Sequence, residues 1–165
     1  MKENDYQANG WKALEDFKKE VESEKDIPVQ LIRMAKPFTG KLVKTKDMGN
    51  RKESYVNHAV VAQRLLMVVG PYDWDFEVIM AGDVFAAIKG TLTVTIDGKQ
   101  VSVSGSGTPQ NTKEGMGEQI KKAESDSFKR ACAKLGLGLH LWSGDDYFLD
   151  SMLSKVHNVE LTELS

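Results

Sequence analysis

The sequence predicts an α+β fold: a three-stranded antiparallel meander packed on one long helix, with further helices and short strands preceding it. Three observations predict this. Tyr72 to Met80 alternates apolar and polar residues, Phe85 to Ile96 does so again and ends at Asp97-Gly98, and Ile120, Ala123, Ser127, Phe128, Ala131 and Leu135 recur at helical spacing.

The elements follow in chain order. Asn9 or Gly10 caps an expected helix whose apolar positions are Trp11, Leu14, Phe17 and Val21 and which ends near Glu24. Pro28 to Glu53 sustains no helical period and is broken by Pro37, Gly40 and Gly49, so short strands and exposed basic loops are expected. Ser54 is the expected cap of an apolar helix that runs to Val69 and stops at Gly70-Pro71. In the first strand Trp74, Phe76, Val78 and Met80 are expected to face inward, opposite Asp73, Asp75 and Glu77. In the second, Ile88, Leu92, Val94 and Ile96 face inward and Thr91, Thr93 and Thr95 outward, before a tight primed turn at Asp97-Gly98 leads to Val101 and Val103. The glycine-rich stretch from Gly105 to Gly117 is expected to carry the chain off the sheet into a helix ending near Lys134. A short helix around Phe148 to Lys155 and a frayed acidic tail complete the chain. The expected organisation is therefore an N-terminal helical segment (1–26), a core domain (27–150) and a tail (151–165).

At 165 residues, 41% hydrophobic and 28% charged, the chain suits one folded domain rather than a disordered polyampholyte. Val56 to Val69 is too short and too interrupted to span a bilayer. The first 26 residues alternate acids and bases without an apolar run, so no secretory signal is expected and the cytoplasm is the expected compartment. Cys132 is the single cysteine, and His58, His140 and His157 lie far apart, so neither a disulfide nor a zinc site is expected. The net charge of −2 hides a strong asymmetry. Pro28 to Arg64 holds eight bases against two acids, whereas Leu135 to Ser165 holds one base against five acids. Such polarity can lay a positive groove on one face of an acidic protein.

Catalytic signatures are weak. The glycines before the last long helix match neither GxxxxGK[ST] nor a GxGxxG that opens a helix directly after a strand. Asp73, Asp75 and Glu77 share a strand face, which keeps open a magnesium-dependent nuclease, but alternating acids are also the ordinary wet face of a half-buried strand. No Ser/His/Asp or Cys/His arrangement stands out, and His58 on an apolar helix reads as a packing residue. No enzyme activity and no cofactor are expected.

Binding chemistry is better supplied. Single-stranded DNA asks for a cationic track for phosphates and π surfaces for unstacked bases. Arg33, Lys36, Lys41, Lys44, Arg51 and Lys52 supply charge in the first half of the chain. Lys122, Lys129 and Arg130 supply it on the exposed side and flank of the last long helix. Phe38 and Tyr55 are candidate stacking residues.

The run Lys122-Ala-Glu-Ser-Asp-Ser-Phe-Lys-Arg-Ala-Cys-Ala-Lys-Leu-Gly136 resembles the signature helix of the Rad fifty-two family of single-strand annealing proteins. Ile32-Arg-Met34, Tyr55-Val56, the helix ending at Gly70, and Tyr72-Asp-Trp74 come in that family's order, and the resemblance covers roughly 27–150. It implies a β-β-β-α core, assembly into a homo-oligomeric ring or arc, and DNA held in a basic groove. Arg33, Lys129 and Arg130 match groove-lining bases of the family, and Asp126 matches an acidic position before them. Ala133 stands where the family has a further base, with Lys134 beside it, and Gly136-Leu-Gly-Leu-His departs from the family's helix ending. The chain lacks a long C-terminal extension, so a compact annealing core of the phage type is implied, in the host bacterial cytoplasm if phage-encoded. A single-strand-binding protein or an exonuclease is a candidate partner. The expected function is binding of single-stranded DNA and annealing of complementary strands in homologous recombination and repair. The alternatives are a plain strand-coating protein, the nuclease, and an interaction module without DNA affinity.

Overall fold

The computed structural model describes residues 27–50, 52–81, 86–108 and 115–156. The expected helix between Asn9 and Glu24 lies outside them, as do Arg51 and Phe85. The described residues fall into two units: Pro28–Tyr147, and one to which residues 148–156 belong.

The first unit opens with helix α1 (Val29–Ala35), where strands and loops were expected. Two turns are too short for a helical period to stand out, and Lys36 turns extended ahead of Pro37, as pre-proline residues do. Ile32, Met34 and Ala35 are buried. Strands β1 (Lys44–Asp47) and β2 (Lys52–Tyr55) then pair antiparallel as an exposed ribbon. Asp47 Oδ1 accepts the Gly49 N–H at 2.9 Å, and Gly49 takes a φ of 87°. Ser54 therefore lies in a strand, and the cap position of helix α2 (His58–Val69) falls to Asn57. The C-terminal signal reads correctly: the Gly70 N–H reaches the Leu66 carbonyl at 2.9 Å with φ 75°, and Pro71 follows.

Strands β3 (Asp73–Ala81), β4 (Ala86–Ile96) and β5 (Lys99–Gly107) form an antiparallel sheet in the order β3-β4-β5. Asp97 and Gly98 both have positive φ, 49° and 72°, the primed hairpin turn that the sequence predicts. Gln30 of α1 braces this turn by accepting the Asp97 N–H on its Oε1 at 3.0 Å. Along β4 the inward positions Ala86, Ile88, Gly90, Leu92, Val94 and Ile96 are all buried. The outer face carries rows of polar residues: Thr93 Oγ1 and Ser102 Oγ lie 2.8 Å apart, and Thr91 Oγ1 and Ser104 Oγ 3.2 Å.

Helix α3 (Met116–Ala133) crosses the inner face. Gly105 and Gly107 do not carry the chain off the sheet; they belong to β5 and are buried beneath α3. A Cβ on Gly107 would stand 1.9 Å from the Ala123 carbonyl oxygen, and one on Gly105 2.2 Å from that of Ser127. Ala123, Ser127 and Ala131, four apart, present the matching small surface, and Ser127 Oγ donates to the Gly105 carbonyl at 2.9 Å. Phe128 centres the core, with the rings of His58, Trp74 and Tyr72 at 4.6, 5.0 and 5.9 Å. His58 is thus a packing residue, as its place on an apolar helix suggests.

Trp74 is partly buried, and its indole N–H donates to Glu124 Oε1 at 2.7 Å. Phe76, Val78 and Met80, expected inside, are exposed instead. A helix about 10 Å wide covers about two strands spaced 4.8 Å apart, and α3 rests on β4 and β5. Most of the inner side of β3 falls beyond it. The register shift between Val78 and Met80, at Ile79, twists the strand end further.

After α3, Gly136 and Gly138 adopt positive φ (88° and 78°) and turn the chain into a short helix, α4 (His140–Ser143), followed by a 3-10 turn at Gly144–Asp146. His140 Nε2 accepts the Phe38 N–H at 3.2 Å, and the Tyr147 hydroxyl donates to the Ala35 carbonyl. In the second unit, α5 (Leu149–Val156) is the short terminal helix that the sequence predicts, with Met152 and Leu153 buried.

Candidate nucleic-acid interface

Helix geometry gathers one group of the expected cations. On α3, Lys122 and Arg130 are eight residues apart with Asp126 midway, Lys134 at the helix end is four beyond Arg130, and Lys129 is seven beyond Lys122. Lys122, Arg130 and Lys134 therefore follow one stripe of about 18 Å at 1.5 Å per residue, with Lys129 beside it. Lys122, Arg130 and Lys134 are exposed and Lys129 is half-buried. Asp126 lies in the same stripe and accepts from Arg130 Nε at 2.9 Å, which fixes the guanidinium in direction. The Nη groups are the remaining donors of that fork. The Arg130 guanidinium lies 4.8 Å from the ring centroid of Trp142, which α4 presents to solvent. Sequence spacing gives no sign of this pair, because it depends on the turn at Gly136 and Gly138.

The ribbon gathers a second, smaller group. Directly opposed residues of an antiparallel pair share a face. Lys44 stands opposite Tyr55 and Lys46 opposite Glu53, so two lysines and an exposed tyrosine lie on one face. Lys46 was not among the expected site residues. Lys52 stands opposite Asp47 on the other face. The ribbon thus divides its lysines between its two sides.

The remaining positions lie on and just after α1. Arg33 is exposed in the last turn of α1, Lys36 is half-buried at its end, and Lys41 is exposed in the turn that follows. Phe38 is a buried core residue and offers no stacking surface. Its ring instead carries the Arg64 guanidinium at 3.7 Å, and Arg64 Nη1 also donates to the Lys36 carbonyl. Burial pushes the Arg64 pKa down, against a smaller rise from Tyr147. Arg64 therefore belongs to the packing of α2, although it adds to the basic count of the sequence.

The acids of β3 do not form a cluster of their own. Asp73 and Asp75 face the threonines of β4, and Glu77 pairs with Lys89 at 3.7 Å. Among the described residues no three His, Cys, Asp or Glu side chains converge in a way that would hold a metal ion. No described helix is long and apolar enough to cross a membrane.

No family model matches the chain. Over 139 residues, covering 75% of this chain and 77% of the relative, it is 27% identical to the DNA repair RAD52-like protein 1, mitochondrial, of Arabidopsis thaliana. The chain is distantly similar to a RAD52-like protein over most of the length of both.

Proposed function

We propose that this protein binds single-stranded DNA and promotes the pairing of complementary strands in DNA recombination or repair, with 27–150 as a compact annealing core that assembles into a ring or arc. The observation that carries this reading is the exposed cationic stripe of Lys122, Arg130 and Lys134 along α3, with half-buried Lys129 beside it and Arg130 oriented by Asp126. The distant likeness to a protein named for DNA repair supports it. Lys129 and Arg130 neutralise phosphates, with Arg33 as a further base of the groove. Lys41, Lys44, Arg51 and Lys52 gather the strand at the rim, and Tyr55 packs or stacks nearby. No bond is broken. A strand held extended with its bases outward cannot fold on itself and meets a complement more often, which needs neither nucleotide nor metal.

The test is fluorescence anisotropy with a labelled oligonucleotide across a salt series, followed by an annealing assay with its complement. Affinity falls with salt at about −0.7 in log–log slope for each phosphate contacted, and Lys129→Ala/Arg130→Ala flattens the slope by about 1.4. Wild type accelerates annealing. Salt-independent binding would sink the electrostatic claim, and binding that slows annealing would leave a strand-coating protein. Shortening of the labelled strand in magnesium would favour the nuclease.

A further inference from the structure

Trp142 is 52% exposed and stands apart from the core cluster, although an indole ring gains much from burial. Its neighbour Leu141 packs against that core, which anchors α4 and fixes where the ring is presented. The other tryptophan among the described residues, Trp74, has its N–H bonded to Glu124 and its ring edge-on to Phe128. Trp142 instead touches a cation: the Arg130 guanidinium, held through Nε by Asp126, lies 4.8 Å from its centroid. An aromatic surface thus sits beside the cationic stripe, joined to it by the arginine whose remaining N–H groups suit a phosphate. Ser143, Gly144 and Asp145 follow the ring in the chain.

We propose that Trp142 is a base-stacking platform, on which one unpaired nucleobase of single-stranded DNA lies while Arg130 meets a neighbouring phosphate. This rests on the DNA-binding reading above and adds to it a contact with the base. Every nucleobase has a π face, so such a platform tolerates any sequence, as a protein that handles arbitrary strands requires. Cation–π contact between Arg130 and the ring keeps the two halves of the subsite together. The subsite takes unpaired strands only, since a duplex offers no free base face along its length.

The experiment compares oligo-dT with an abasic oligomer of equal length by anisotropy, for wild type, Trp142→Ala, Trp142→Phe and Lys122→Ala/Lys129→Ala. Mass photometry and circular dichroism are run on each variant. Wild type prefers the oligomer with bases. Trp142→Ala loses that preference, a fall of roughly tenfold to a hundredfold for dT, while its abasic affinity, salt slope, assembly size and fold are unchanged. Trp142→Phe keeps most of the preference, and the lysine pair weakens both oligomers alike. Equal binding of dT and abasic DNA by wild type overturns the platform while leaving the phosphate stripe intact. Equal weakening of both by Trp142→Ala, or a smaller assembly, makes Trp142 a structural residue and also overturns it. Failure of wild type to bind either oligomer defeats the DNA reading itself.

Discussion

Arg64 and Arg130 each lie over an aromatic ring, yet their surroundings give them different work. Arg64 sits 3.7 Å over the buried Phe38, donates to the Lys36 carbonyl, and has its pKa lowered by desolvation. A planar fork meets both partners at once, whereas a lysine ammonium is a single point of charge. Arg64→Lys is therefore expected to cost about 1–3 kcal/mol of stability, read as a lower urea midpoint. The salt slope for DNA binding should stay unchanged; a flatter slope would place Arg64 in the interface. Cys132 gives a second test at this scale. Burial pushes its thiol from an ordinary 9.0 up to about 12. The unfolded chain then sheds this proton first as pH rises, so the contribution of Cys132 to stability is intact below about pH 9 and is lost between there and about pH 12. At pH 8 a thiol reagent should label Cys132 only after denaturation, and rapid labelling of the native protein would contradict the burial.

The close approach of α3 to the sheet is a property of elements, and three glycines permit it. Gly105 and Gly107 lie under the α3 backbone, while a Cβ on Gly90 would meet the Trp74 ring at 2.0 Å and Ser127 Oγ at 2.6 Å. Gly107→Ala must push the helix outward and is expected to cost about 1–3 kcal/mol or more, a fall in Tm of roughly 2–4 °C per kcal/mol for a chain of this size. Gly117→Ala is the contrast: beyond its chain neighbours and its own helix backbone nothing lies within 4 Å of a Cβ there, and it sits in the first turn of α3, so stability should hold or rise. Equal melting of the two variants would deny the glycine seat. The same glycines show where the sequence is readable. Alternation in β4, the Asp97-Gly98 turn and the apolar face of α3 are local patterns, and each appears where the residues place it. Gly105 and Gly107 read as a linker because glycine signals a break unless the helix opposite is known. Phe76 and Val78 read as core because alternation reports a face, and whether that face is covered depends on the width of α3. Of the candidate site, Lys122 and Lys129 on the exposed side of α3 and Arg130 on its flank are legible from helical spacing. The division of Lys44 and Lys52 between ribbon faces depends on a register that only the pairing reveals.

At the scale of the whole molecule, the charge has to be weighed against the length of strand it engages. A net charge of −2 gives the protein no general attraction for DNA, so the proposed binding would have to come from local arrays. One protomer offers a stripe of about 18 Å on α3, enough for roughly five phosphates at the 3.4 Å spacing of a stacked strand and fewer if the strand is stretched. Contacts that few are readily outcompeted by salt. The proposed ring or arc would repeat the stripe, and once a strand was held by one protomer its next segment would meet the neighbour at high effective concentration. Affinity for oligo-dT should therefore keep rising well beyond the length one stripe covers, with a steeper salt dependence at each added segment. The steps in length should match the subunit spacing seen by electron microscopy of the DNA complex. A plateau at the length of a single stripe, with no change in the particles on adding DNA, would leave a protomer that binds strands by itself. Annealing would then have to arise from one short grip, which holds too few bases outward to register a complement.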